Sequence, residues 1–96
     1  MLTTAEIIKI AGSEKTPAYI FDLDVLKARI EKLQSVLGSD VKLCYAMKAN
    51  PFLVHAMKSL VTKFEVCSPG EFSICERENV DMSTIVLSGV NRSAEL

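Results

Sequence analysis

Lys48 closes an apolar run, "LCYAM" at residues 43 to 47, and is followed at once by Ala49, Asn50 and Pro51, which read as a turn. A lysine is rarely buried without a partner. One in this place either snorkels to solvent or is set there for its amine. The chemistry that suits such an amine is Schiff-base formation. The nitrogen must be neutral to attack a carbonyl, and partial burial lowers a lysine pKa toward neutrality. A strand end is rigid enough to aim it.

Other groups with chemical potential are few. Ser68 and Glu71 form S-x-x-E with Pro69 between them, a capping box that opens a helix and an independent reason for those residues. His55 is the only histidine and is assigned to solvent or packing. Cys44, Cys67 and Cys75 are irregularly spaced and form no C-x-x-C pair. They read as buried, reduced thiols, with no zinc site and no disulfide framework. "NRS" at 91 to 93 matches a glycosylation acceptor and means nothing in a cytoplasmic chain.

The elements that must hold these residues alternate in kind. "PAYIFD" (17 to 22) is expected as a strand opened by proline. Asp24 is the expected N-cap of a helix over 25 to 37, with Leu26, Ile30, Leu33 and Leu37 on its apolar face and Gly38 as its stop. "VKLCYAM" is the next strand. Asn50 caps a second helix, with Pro51 in its first turn and Leu53, Met57 and Leu60 as its stripe. "FEVC" (64 to 67) and "TIVLS" (84 to 88) are further strands, the latter rich in β-branched residues. Gly89 to Asn91 form a turn, and Ser93 is a candidate cap for a helix barely begun.

Strand and helix in alternation, at about twenty residues per unit, argue a parallel sheet with crossover helices. A doubly wound sheet and the first three strands of a (β/α)8 barrel both fit. In either, working residues lie past the C-terminal ends of strands. Lys48, residues 65 to 68 and residues 88 to 91 then share one rim. A complete barrel needs about 250 residues, so 96 residues suit only its opening, and the chain is expected to be an N-terminal fragment. An arc of barrel would leave both sheet edges unpaired and its inner face wet.

Composition excludes several classes. The chain is 49% hydrophobic and 24% charged, with a net charge of -1, and so has no basic field for nucleic acid. No apolar run reaches membrane-span length. The N-terminus lacks a signal-peptide pattern, which makes the cytoplasm the expected compartment.

"YAMKANP" resembles the lysine motif of the fold-type III pyridoxal-phosphate-dependent decarboxylases, which act on ornithine, diaminopimelate, arginine or carboxynorspermidine. Three more stretches agree in order and spacing: "TPAYIFDLDVLKARI", "FEVCSPGEFSICE" and "IVLSGVNRSAEL". Together they cover residues 16 to 96. The resemblance implies the (β/α)8 alternative, with 23 to 96 opening the barrel and 1 to 22 carrying a strand of a C-terminal β-domain. It implies that Lys48 holds pyridoxal 5'-phosphate as an internal aldimine and that a basic amino acid is the substrate. Glu65 stands where many members have an aspartate near the cofactor, one methylene longer than that residue. Ser68 and Glu71 match the family's S-x-x-E, as cofactor-site residues or as the capping box alone. Tyr45 lines the ring pocket or is plain core. A homodimer is implied for the full-length protein.

The family's glycine-rich phosphate turn, the acid that pairs with the pyridine nitrogen and the cysteine segment given by the partner subunit all lie downstream of these residues. The 96 residues alone are therefore expected not to decarboxylate. Three rival readings differ in kind. An alanine-racemase-like enzyme shares "KAN", but there the motif runs into a Tyr-Gly-rich turn and not "PFLVHAM". The others are a non-catalytic regulator on the decarboxylase fold and an unrelated doubly wound binding domain.

Overall fold

A computed structural model describes residues 1–15 and 17–89. Helix α1 (Thr4–Ser13) comes first, then helix α2 (Leu23–Leu37), strand β1 (Cys44–Ala46), helix α3 (Val54–Met57), strand β2 (Lys63–Val66), helix α4 (Pro69–Arg77) and strand β3 (Ile85–Leu87). The strands form a parallel sheet in the order β1-β2-β3. Cys44 pairs with Lys63 and Ala46 with Glu65; Phe64 pairs with Ile85 and Val66 with Leu87. The expected alternation and parallel sheet are therefore present.

The core follows from strand alternation. Phe64 and Val66 are buried on β2, while Lys63 is exposed and Glu65 half-buried on the other face. Successive strand side chains point to opposite faces, so one face takes the apolar set. Met47, Val54, Met57, Cys75 and Val80 complete the buried cluster, with Leu26, Ile30, Tyr45 and Phe72 packed against it. The opposite face shows Cys44, Ala46 and Val86 to solvent. The radius of gyration is 15.9 Å, against about 12.5 Å for a compact domain of this length.

Several expected boundaries move. Residues 17 to 22 pair with no strand among the described residues. A strand exists only through ladder bonds to a neighbour, so an extended apolar pattern without one stays irregular. Helix α2 starts two residues earlier than expected. Its N-cap is Asp22, whose Oδ1 accepts from the amides of Asp24 (3.1 Å) and Val25 (3.2 Å). Asp24 then lies in the first turn, where a carboxylate favours the helix dipole. Gly38 ends α2 as expected, at φ 88°.

Only half of the expected α2 stripe is used. Leu26 and Ile30 reach the core, but Leu33 and Leu37 stay 42% and 46% exposed. The helix is about 22 Å long, and strands of three or four residues span at most about 13 Å, so the sheet ends before the helix does. Helix α1 answers to no expected element. Thr3 and Glu6 form a complete capping box there. The T-x-x-E spacing in "TTAE" carried that signal.

Candidate active site

The strand before the lysine is shorter than its apolar run. Beyond β1, Met47, Lys48 and Ala49 form a single 3-10 turn. Met47 is fully buried, and the Cys75 thiol on α4 lies 3.4 Å from its sulfur. Lys48, the next residue, is exposed. Its amine has no hydrogen-bond or ion-pair partner among the described residues.

The turn is closed twice. The Asn50 amide donates to the Met47 carbonyl at 3.1 Å. The Tyr45 hydroxyl donates to the Asn50 carbonyl. Asn50 also caps the next turn, Pro51–Leu53, through its Oδ1 and the Phe52 amide (3.1 Å). That turn leads into α3, so the expected second helix begins as a 3-10 segment.

In a parallel sheet all C-terminal strand ends share one rim. Cys67 and Ser88 follow β2 and β3 there, with Sγ and Oγ 3.3 Å apart. The Ser88 amide donates to the Val66 carbonyl at 2.9 Å. Gly89 seals this corner at φ 91°. A Cβ there would stand 3.0 Å from the Cys67 carbonyl oxygen, so glycine is required both by backbone conformation and by space.

Glu65 lies on the solvent-facing side of β2, opposite Ala46. It accepts from the Cys67 thiol at 3.8 Å and forms no ion pair with Lys48. Ser68 is the N-cap of α4. Its Oγ accepts from the Glu71 amide at 3.2 Å and donates to the Glu71 carboxylate at 3.3 Å. The second Glu71 oxygen accepts from the Cys67 amide at 3.1 Å, one residue ahead of the expected box partner. Glu71 thereby ties the β2–α4 corner together. Tyr45 belongs to the core, edge-on to Phe64 with ring centroids 6.3 Å apart.

The cysteines correct one expectation. Cys75 is buried, but Cys44 is exposed and Cys67 half-buried. Alternation puts Cys44 on the open face, and Cys67 sits beyond the strand. Burial pushes the Cys75 thiol up, as does nearby Glu71. The Cys44 thiol is also raised, by partial desolvation first and then by the Glu65 carboxylate. Cys67 and Ser88 lie within the rim stretches expected from the sequence, but their mutual contact is not among those expectations, because each is expected as the last residue of its strand and both lie one past it. His55, in α3, is exposed and 3.3 Å from Glu78. The turn at 89 to 91 lies mostly, and the cap at Ser93 wholly, outside the described residues.

The rim thus offers a primary amine unengaged among the described residues, a carboxylate, a thiol and two hydroxyls beside an open sheet face. An aldehyde cofactor needs such an amine for covalent attachment, so the residues present fit that end of pyridoxal phosphate.

Residues 23–96 match the family described as pyridoxal-dependent decarboxylase, pyridoxal binding domain. A diaminopimelate decarboxylase from Deinococcus radiodurans is 32% identical over 80 residues, covering 81% of this chain and 21% of that protein. The chain thus spans about a fifth of the length of this curated relative. No solved structure matches it. With the family matched across all but the first helix and the segment after it, the chain belongs to the pyridoxal-dependent decarboxylases, within their pyridoxal-binding domain, and its cofactor is pyridoxal phosphate.

Proposed function

We propose that these residues open the barrel of a carboxy-lyase and that Lys48 holds its cofactor covalently. The observation that carries this is the placement of Lys48. It is an exposed amine, without a partner among the described residues, held just past a strand end by a buried neighbour and a doubly closed turn. When bound, pyridoxal phosphate supplies the electron sink for decarboxylation of an amino acid.

The chain's own residues have narrower tasks. The backbone at 47 to 50 presents the amine. Glu65 holds a negative charge on the adjoining open face, where it favours a protonated nitrogen. Ser68 acts on the site through the Glu71 corner it caps. The substrate is a basic amino acid of the diaminopimelate, ornithine, arginine or carboxynorspermidine type. The similarity to a diaminopimelate decarboxylase favours the first.

The open sheet face and free edges of β1 and β3 support a (β/α)8 barrel as the complete fold. The family match begins at residue 23, which supports 1 to 22 as a separate segment; the strand of a β-domain that we assign within it needs partner strands from outside the described residues. Among the described residues no helix is long and apolar enough to cross a membrane; a cytoplasmic homodimer is the assembly we assign to the intact protein. By themselves the 96 residues release no carbon dioxide. The test is spectroscopic: pyridoxal phosphate added to the chain at limiting concentration gives an absorbance change that Lys48→Ala largely removes. An equal change in Lys48→Ala would refute the assignment.

A further inference from the structure

We propose that Tyr45 is a positioning residue for Lys48, acting through its hydroxyl on the turn that carries the lysine. The inference rests on the reading of Lys48 as the cofactor lysine. The Lys48 side chain has no tether of its own among the described residues, so only its backbone can aim it. That backbone is fixed at both ends. Met47, fully buried, anchors the first residue of the turn. Asn50 anchors the last, and its carbonyl is where the Tyr45 hydroxyl arrives from five residues back.

The bond spans the lysine. Tyr45 is the middle residue of β1, and its ring is held edge-on to buried Phe64, with 88° between the planes. The sheet and the turn are thus joined by one side chain that starts before Lys48 and ends after it. Without the hydroxyl, the Asn50 carbonyl keeps only the Leu53 amide, at a long 3.4 Å. Partial burial raises the Tyr45 hydroxyl above the ordinary tyrosine range, so it remains a donor through neutral and mildly basic pH. A phenylalanine would fill the same core volume. Packing accounts for the ring, and the tether accounts for the oxygen.

The 96-residue chain is treated with pyridoxal phosphate, reduced with borohydride, digested and mapped, alongside Tyr45→Phe and Val80→Ala. Val80 belongs to the same buried cluster as Met47, but its amide donates to the Cys75 carbonyl and not to residues 45 to 50, so its truncation lowers stability and leaves the Tyr45–Asn50 bond in place. Loss of one hydrogen bond that orders the turn lowers labelling at Lys48 about fivefold at subsaturating cofactor. The expected result is that loss in Tyr45→Phe, with faster exchange of the Asn50 amide, and near-normal labelling in Val80→Ala. Equal labelling of Lys48 in wild type and Tyr45→Phe would overturn the role of Tyr45 and leave Lys48 standing. Equal loss in both variants would reduce Tyr45 to a stability residue. No preference for Lys48 in the wild type would overturn the reading of the lysine, and the positioning role with it.

Discussion

The Cys75 sulfur on α4 lies 3.4 Å from the sulfur of Met47, the residue that precedes Lys48. The helix after β2 therefore packs directly against the base of the lysine turn. Both residues are fully buried, and a cavity at either would loosen the turn as well as the core. Met47→Ala is expected to destabilise the chain by about 2–4 kcal/mol, measured by urea unfolding followed by circular dichroism. A loss below about 1 kcal/mol would mean that this part of the core is not closely packed.

Two glycines with positive φ should respond differently to alanine. At Gly38 a new Cβ meets nothing within 4 Å, whereas at Gly89 it meets the Cys67 backbone at 3.0 Å. Gly38→Ala carries conformational strain alone, of about 1 kcal/mol. Gly89→Ala adds a tight contact with the Cys67 backbone, which must shift by a few tenths of an ångström to admit the methyl group. Comparative thermal melts should rank Gly89→Ala as clearly the more damaging; the reverse order would contradict the packing of that corner.

Asp22 predicts an acid limb in the stability profile. Its carboxyl is held below the ordinary 3.8, chiefly by the Leu2 amide and then by the Val25 amide, the N-terminal ammonium and the Asp24 amide. A depressed folded-state pKa contributes stability above the unfolded value, and that stability fades as pH falls through the folded value. The difference in melting temperature between wild type and Asp22→Asn should therefore be largest above about pH 4 and shrink toward pH 2. A difference independent of pH would show that the charge is not what holds the Leu2 segment to the cap.

Thiol reactivity reports which face each cysteine occupies. Cys44 should be alkylated in the folded protein and Cys75 only on unfolding. Because the Glu65 carboxylate helps to raise the Cys44 thiol, Glu65→Gln should lower that pKa and speed Cys44 alkylation at neutral pH by about twofold. An unchanged rate would mean that Glu65 does not face the same side of the sheet as Cys44.

Much of this architecture is legible in the residues. The S-x-x-E start of α4 and Gly38 as a stop are local signals, and each appears where its chemistry demands; the strand expected at "FEVC" forms one residue earlier, as Lys63–Val66. What fails is non-local. "PAYIFD" has strand composition, but pairing depends on a partner that no local pattern reveals. Leu33 and Leu37 lie on the apolar stripe, yet burial depends on how far the sheet extends beneath them. Lys48 stands out in the sequence by its place after an apolar run. The Tyr45–Asn50 bond that frames it has no signature in spacing, because it arises only once the chain turns back over the strand end. Residue type argues a core place for Cys44 and Cys67, but strand register turns Cys44 to the open face and Cys67 lies one residue past β2.

The most direct test of the central claim is a peptide map of the chain after pyridoxal phosphate and borohydride treatment at limiting cofactor. The account predicts one dominant modified peptide containing Lys48, with the other lysines labelled only weakly. Label distributed evenly among the lysines, or concentrated at one remote from the rim such as Lys58 or Lys27, would contradict it.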